Sequence, residues 1–220
     1  MAHSDYPTAR PFLPDDRDLD NLARAAEGCQ GCPLYHDATQ TVFGVGPSDA
    51  QLMLVGEQPG AEEDRVGEPF VGQAGKMLDR SLEAAGVQRS DVYITNAVKH
   101  FKSKGGDGSR RGVKPQVGEV HACRPWLESE LEAVQPLIVV AMGTVAARSL
   151  IGQPVTIGES LGAWLQTAEG RHLIVTYHPS AALRAPAKID RERIFETLVD
   201  DLARAHEAIS QVDRGARPGR

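Results

Sequence analysis

The apolar positions along this chain follow two rhythms. Five short runs, at residues 51–56, 92–97, 137–141, 163–167 and 172–177, are nearly continuous. Unbroken apolar runs of this length predict strands, the longest of them buried on both faces. Between them the spacing turns helical. Met77, Leu78, Leu82 and Ala85 share a stripe over residues 74–85, which Gly86 stops. Residues 18–26, 118–134, 144–151 and 190–210 predict further helices. Strands alternating with helices predict an α/β fold, a parallel sheet covered on both faces. In such sheets ligands sit beyond the carboxyl ends of the strands. Three polar segments fall there: Gly56-Glu57-Gln58-Pro59-Gly60, Asn96, and His178-Pro179-Ser180.

Residues 1–17, with three prolines and many charges, are expected to form a flexible arm, and residues 211–220 a flexible basic tail. No repeat or composition shift divides residues 18–210, which read as one domain. Residues 57–73 contain Pro59, Gly60, Gly67, Pro69 and Gly72 and read as one long loop, of a length that is usually functional. Residues 99–114 carry Lys99, Lys102, Lys104, Arg110, Arg111 and Lys114 against Asp107, with glycines at 105, 106 and 108. This is a flexible basic loop, either solvated or suited to a phosphate backbone.

Composition narrows the classes. With 41% hydrophobic and 25% charged residues, wholesale disorder is excluded. No apolar run approaches the ~18 residues of a membrane span, and residues 1–17 lack the apolar stretch of a secretory signal, so a cytoplasmic protein is expected. A net charge of −6 argues against a protein coated in nucleic acid but leaves room for a local basic patch. No helix face carries more apolar surface than a core needs, so a monomer is expected.

The three cysteines are odd in number, and a disulfide framework is not expected in a reducing cytosol. Cys29-Gln30-Gly31-Cys32 reads as a metal or redox pair. A redox pair opens a helix after a strand. Here a helical stretch precedes it and the irregular Pro33-Leu34-Tyr35-His36 follows, which favours metal ligation. Glu57 either orients a water or a developing cation, or is a solvated turn residue. Phe70 either plugs the core or stacks on a planar ligand. Asn96 offers a donor and an acceptor together, which suits the imide edge of a pyrimidine such as uracil, or it caps its strand. His178-Pro179-Ser180 with Leu183 and Arg184 describes either an ordinary strand-to-helix loop or a ring, wedge and cation that enter a DNA groove.

Six stretches, taken together, resemble the uracil-DNA glycosylase superfamily. They are Cys29-x-x-Cys32, Gly56-Glu57-Gln58-Pro59-Gly60 with Glu63-Asp64, Pro69-Phe70-Val71-Gly72, Thr95-Asn96-Ala97-Val98-Lys99-His100, Cys123-Arg124-Pro125-Trp126, and His178-Pro179-Ser180 with Leu183-Arg184. Within the superfamily they are most similar to the iron–sulfur family 4 enzymes and their X-type relatives; Gln58 and His100 look like the X-type branch. The resemblance implies a three-layer α/β/α fold around a central, mostly parallel four-stranded sheet. It implies base excision repair in the cytoplasm, at the bacterial nucleoid: uracil flipped out of single- or double-stranded DNA and released, leaving an abasic site. It puts Glu57, His178 and Asp64 in the catalytic set, with His178 donating to the uracil carbonyl oxygen and Glu57 placing water or stabilising the sugar cation. Phe70 would stack on the base, Asn96 would read its edge, and Gln58 would hold the base or its backbone surroundings. Lys99, Arg110, Arg111, Lys114, Ser180, Leu183 and Arg184 would contact DNA. Family 4 enzymes bind a 4Fe-4S cluster through four cysteines, and the X-type branch substitutes a histidine. The resemblance therefore implies Cys29, Cys32, His100 and Cys123 as ligands of a structural cluster, with Zn²⁺ on the same set as the rival.

One departure bears on mechanism. The X-type branch carries Lys-Arg-Arg-Ile-His after the second strand, and its histidine attacks the sugar and traps the enzyme on DNA. Here the loop reads Ser109-Arg110-Arg111-Gly112-Val113-Lys114-Pro115. Gly112 and Val113 stand where Ile-His would be, and neither is a nucleophile. Hydrolytic turnover without a stable covalent adduct is the expectation. The alternatives are a uracil- or lesion-binding protein with little turnover, and a Cys₃His zinc protein whose cleft serves a nucleotide-like small molecule.

Overall fold

A computed structural model describes residues 6–104 and 111–215. In chain order its elements are α1 (Leu19–Ala26), β1 (Leu52–Gly56), α2 (Ala61–Val66), α3 (Gln73–Ala84), β2 (Val92–Asn96), β3 (Ser103–Lys104), β4 (Arg111–Gly112), α4 (Val117–Val134), β5 (Ile138–Met142), α5 (Thr144–Ile151), α6 (Ile157–Ser160), β6 (Trp164–Gln166), β7 (His172–Thr176), α7 (Pro179–Arg184) and α8 (Lys188–Gly215). The main sheet has the order β2-β1-β5-β7-β6. Its first four strands are parallel, and β6 runs antiparallel to β7 at the edge. The expected four-stranded parallel core is present and carries a fifth strand. Trp164 and Gln166 of β6 are exposed while Leu165 is half-buried, the alternation of an edge strand rather than a central one.

Successive side chains point to opposite faces of a strand, so an apolar run buries both. Met53 and Val55 pack with Leu127, Leu131 and Val145 on the side of α4 and α5. Leu52 and Leu54 pack with Leu78, Leu82 and Leu202 on the side of α3 and α8. Removing any one of these side chains down to Ala costs ~2–5 kcal/mol in a close-packed core. No helix among the described residues is long and apolar enough to cross a membrane.

Local structure departs from the sequence reading in four places. The loop 57–73 contains α2: the Glu63 carboxylate reaches back to the Gly60 N–H (3.0 Å) at its start, and Gly67, at φ +91, ends it. The His178 segment is not a loop but opens α7, with Pro179 at its first turn. The arm is not flexible from Tyr6 on: Ala9 is fully buried, its N–H donates to Ala122 O (2.8 Å), and the Tyr6 ring lies over Gly118. The last helix continues to Gly215, into the expected tail. Residues 1–5 of the arm and 216–220 of the tail lie outside the described residues.

Candidate active site

The carboxyl ends of the parallel strands open into one cleft of about 610 Å³. The chain passes from β1 to β2 on one side of the sheet, and places β5 and β7 on the other side of β1. A crevice therefore forms at this reversal, where open α/β sheets bind ligands. Glu57 and Gln58 follow β1, Asn96 ends β2, Gly143 and Thr144 follow β5, and Tyr177 and His178 follow β7; all line the cleft. Phe70, Lys114, Ser180 and Arg184 complete the predicted residues that meet there.

Asn96 is 2% exposed, and its Oδ1 is buried without a hydrogen-bond partner. An unsatisfied buried acceptor costs ~1–3 kcal/mol, so its natural complement is a ligand donor. Gly56 makes the close approach possible, since a Cβ there would collide with Asn96 Oδ1 and the Phe70 ring. Phe70 sits at φ +56, in the left-handed region. Arg89 holds it there, donating from Nη2 to the Pro69 and Phe70 carbonyls (3.3 Å each) while Nη1 pairs with Asp79 (2.6 Å). Strain of this kind persists where its surroundings over-determine it, and it clusters at functional sites.

The His178 ring lies 5.7 Å from that of Phe70, centroid to centroid. Its Nδ1 caps α7, accepting from the Ser180 N–H (3.2 Å), with Ser180 Oγ at 2.7 Å. A backbone N–H only donates, so Nδ1 is the acceptor and the ring proton sits on Nε2. Burial, reinforced by the Arg184 charge, pushes the His178 pKa down to about 4. The ring is therefore a neutral N–H donor at physiological pH. Burial also raises the Glu57 carboxyl above its ordinary pKa, against the pull of Lys114 and Arg184.

Gln58 is engaged at both ends by main chain: Nε2 donates to Val113 O (3.1 Å) and Oε1 accepts from the Lys102 N–H (3.3 Å). It clasps the two stems of the basic loop rather than presenting a free amide to a base. Sequence reasoning passed over Glu63. Its carboxylate accepts from Gly60 N–H and, at 2.8 Å, from Gly72 N–H, so it ties the Glu57 turn to the Phe70 turn. The signal for it was Glu three residues after a helix-opening Gly.

Two assignments do not hold. Asp64 is fully buried away from the cleft and accepts from the Thr39 N–H (2.9 and 3.1 Å), so it braces a loop and meets no substrate. Lys99 is 1% exposed and paired with Glu130, out of reach of DNA. Leu183 is 43% exposed on α7, beside the cleft rather than in it. Arg110 lies outside the described residues, and Arg111 is placed only as part of β4.

The cysteines meet elsewhere. Cys29, Cys32 and Cys123 are buried in an apolar cluster with Leu34, Phe43, Val98 and Trp126. Trp126 Nε1–H donates to Cys29 Sγ (3.2 Å) and the Lys99 N–H to Cys123 Sγ (3.3 Å). Burial pushes the Cys32 thiol up to about 11 and Cys123 up to about 12. His100 is buried next to this cluster in sequence, with Nε2 3.0 Å from Thr41 Oγ1. Thr41 gives its hydroxyl hydrogen to Ala26 O (2.9 Å), so it accepts from His100 Nε2–H and leaves Nδ1 with its lone pair. Burial holds the ring neutral, pushing its pKa down to about 4. Among the described residues no three His, Cys, Asp or Glu side chains group as a single ion requires.

Comparison with known proteins agrees with this geometry. A family profile described as the uracil DNA glycosylase superfamily matches residues 43–203. The chain is 37% identical over 177 residues to the Type-4 uracil-DNA glycosylase of Pyrobaculum aerophilum, covering 77% of this chain and 87% of that one. It is 34% identical over 181 residues to the Type-4 uracil-DNA glycosylase of Thermotoga maritima, covering 82% and 91%. It is 33% identical over 180 residues to the Type-5 uracil-DNA glycosylase of Pyrobaculum aerophilum, covering 73% of each.

Proposed function

The chain belongs to the uracil-DNA glycosylase superfamily, and from that premise we propose that it releases uracil from DNA by hydrolysing the N-glycosidic bond. The observation that carries the reading is a pair of residues lining the cleft: Asn96, whose Oδ1 is an unpartnered acceptor, and His178, whose Nδ1 is taken by the Ser180 N–H so that Nε2–H is the donor. Uracil presents an N–H beside carbonyl oxygens. Cytosine presents a bare ring nitrogen where uracil carries that hydrogen, which would set acceptor against acceptor.

The steps follow from the residues. A stacked base keeps its glycosidic bond out of reach, so the nucleotide is flipped into the cleft. Phe70 stacks on the base and Asn96 accepts its N–H. As the bond breaks, its electrons move onto the base oxygen, and His178 donates to that oxygen. This contact strengthens as charge develops, so it favours the transition state over bound substrate. Glu57, as carboxylate, orients a water toward the sugar carbon and takes its proton. Lys114 and Arg184 sit near Glu57 and meet the phosphates on either side of the flipped nucleotide. Leu183, exposed beside them, fills the gap left in the stack.

Cys29, Cys32, Cys123 and His100 would hold a 4Fe-4S cluster, His100 through Nδ1. When bound, the cluster serves as a structural tie, joining the segment after α1 to α4 and to the end of β2. Deprotonating such raised thiols makes its binding release protons.

The lining of the cleft includes Gly112 and Val113, the positions where the X-type branch has Ile-His. Val113 is fixed by its N–H to Lys102 O (2.9 Å) and offers no nucleophile. Turnover therefore proceeds through water, without a stable adduct. A denaturing gel with uracil-containing single- and double-stranded DNA tests both parts. The expected result is alkali-labile product and no shifted band. A band surviving heat and detergent defeats the no-adduct reading, and absence of alkali-labile product defeats turnover.

A further inference from the structure

Beneath the base-reading end of β2 lies a charge pair that the cleft chemistry does not use. Lys99 and Glu130 are 1% and 0% exposed. Lys99 Nζ donates to Glu130 Oε2 (2.5 Å), to Thr95 Oγ1 (2.7 Å) and to the main-chain oxygen of Asn96 (2.8 Å). The other carboxylate oxygen of Glu130 accepts from Thr95 Oγ1 (2.9 Å), Tyr93 OH (3.1 Å) and the Gly44 N–H (3.1 Å). The three protons of the ammonium and both oxygens of the carboxylate are thus engaged.

Such a pair is a poor way to stabilise a fold. Taking two charges out of water costs more than their attraction returns, unless geometry is excellent, and apolar residues of similar volume often do as well. What this pair does that an apolar pair cannot is hold a specific carbonyl, and that carbonyl belongs to Asn96. Lys99 also reaches the cysteines, its own N–H donating to Cys123 Sγ (3.3 Å).

We propose that Lys99, braced by Glu130, is a positioning residue for base recognition. It fixes the main chain from which the Asn96 carboxamide enters the cleft, and it acts on the base only through Asn96. This rests on the reading of Asn96 as the residue that meets the base edge. A small misplacement of such a group is felt strongly, since a shift of about 1 Å in a reacting geometry costs ~10²-fold in rate.

The test removes both charges together. Lys99→Met alone strands Glu130 and is expected to unfold the protein, whereas Lys99→Met with Glu130→Gln removes both charges, keeps the volume and an amide oxygen for Thr95, Tyr93 and Gly44, and is expected to melt near the wild-type temperature. The double variant should excise uracil ~10–100-fold more slowly at saturating DNA. Its affinity for uracil-free DNA, and the dependence of that affinity on salt, should match the wild type. A lysine on a phosphate would do the reverse, weakening binding and lowering the salt slope by about 1. A second readout needs no turnover. With ¹⁵N-labelled asparagine, the Asn96 carboxamide should give one sharp signal in the wild type and a broadened or doubled one in the variant. Should the double variant fail to melt cooperatively, Thr95→Val, which removes the hydroxyl shared by Lys99 and Glu130, is read the same way. Excision within twofold of the wild type in a folded variant, or an unchanged Asn96 signal, overturns the proposal. A wild type that releases no uracil sinks the glycosylase reading instead, and the Asn96 signal then decides on Lys99 alone.

Discussion

Two polar regions flank the end of β2, and they are built on opposite terms. In the cleft, Asn96 Oδ1 has no partner and Glu57 carries a carboxyl raised by burial. One layer below, the Glu130 carboxylate gathers Lys99, Thr95, Tyr93 and Gly44. Burying an unpaired polar group costs free energy wherever it occurs. The difference shows where the fold expects something to arrive. The lower region is complete in the protein itself, while the cleft is completed by a ligand. Single substitutions in the cleft should therefore cost function with the fold intact, and removing one partner of the lower pair should cost the fold.

The largest effects are expected to separate the two regions cleanly. His178→Ala or Asn96→Ala should lower kcat for uracil release by ~10²–10³-fold, with melting temperature near that of the wild type. Glu130→Ala should leave Lys99 buried and unpaired, and urea unfolding should show a loss of ~3–5 kcal/mol. A His178 variant that unfolds, or a Glu130→Ala protein with full stability, would blur the contrast.

A smaller effect follows for Phe70. Phe70→Ala should weaken binding of uracil-DNA by ~1–3 kcal/mol and leave uracil-free DNA unaffected, in fluorescence anisotropy titrations. The pH profile comes next. Glu57 works as a carboxylate and its pKa is raised, so excision should fall as pH drops through that raised value. His178 stays a neutral donor until about pH 4, so a single acid limb is expected above that point. Glu57→Gln should lower the rate and remove the limb. Because the fold prefers this carboxyl protonated, its ionised form opposes stability as pH rises, and Glu57→Gln should melt no lower than the wild type at neutral pH. The smallest effects belong to the rim: Lys114→Ala or Arg184→Ala should each reduce the salt slope of DNA binding by about 1, and the Lys99–Glu130 double variant should not.

The cleft was legible from sequence because its parts sit at strand ends. An apolar run followed by Gly56-Glu57, Asn96 or His178 announces both the strand and the chemistry beyond it, and topology does the rest. The failures share a cause. Lys99 looked like a member of a basic loop because residue type carries no record of burial; only the fold shows that Glu130, 31 residues on, faces it. Asp64 stood beside Glu63 in one motif, yet on α2 their roles part: Glu63 links two turns of the cleft while Asp64 points away to Thr39. The helix α2 itself was hidden by the glycines and prolines that flank it. His178 was read as a loop residue, and its cap on Ser180, which sets its tautomer, needed coordinates.

The central claim is that an unpartnered oxygen on Asn96 waits for the ring N–H of uracil. Single-turnover release from DNA carrying uracil, set against DNA carrying N3-methyluracil at the same position, tests it most directly. Methylation removes the one hydrogen that Asn96 accepts and leaves the oxygen that His178 meets. Release of uracil with retention of the methylated base is the expected result; equal release of the two would contradict it.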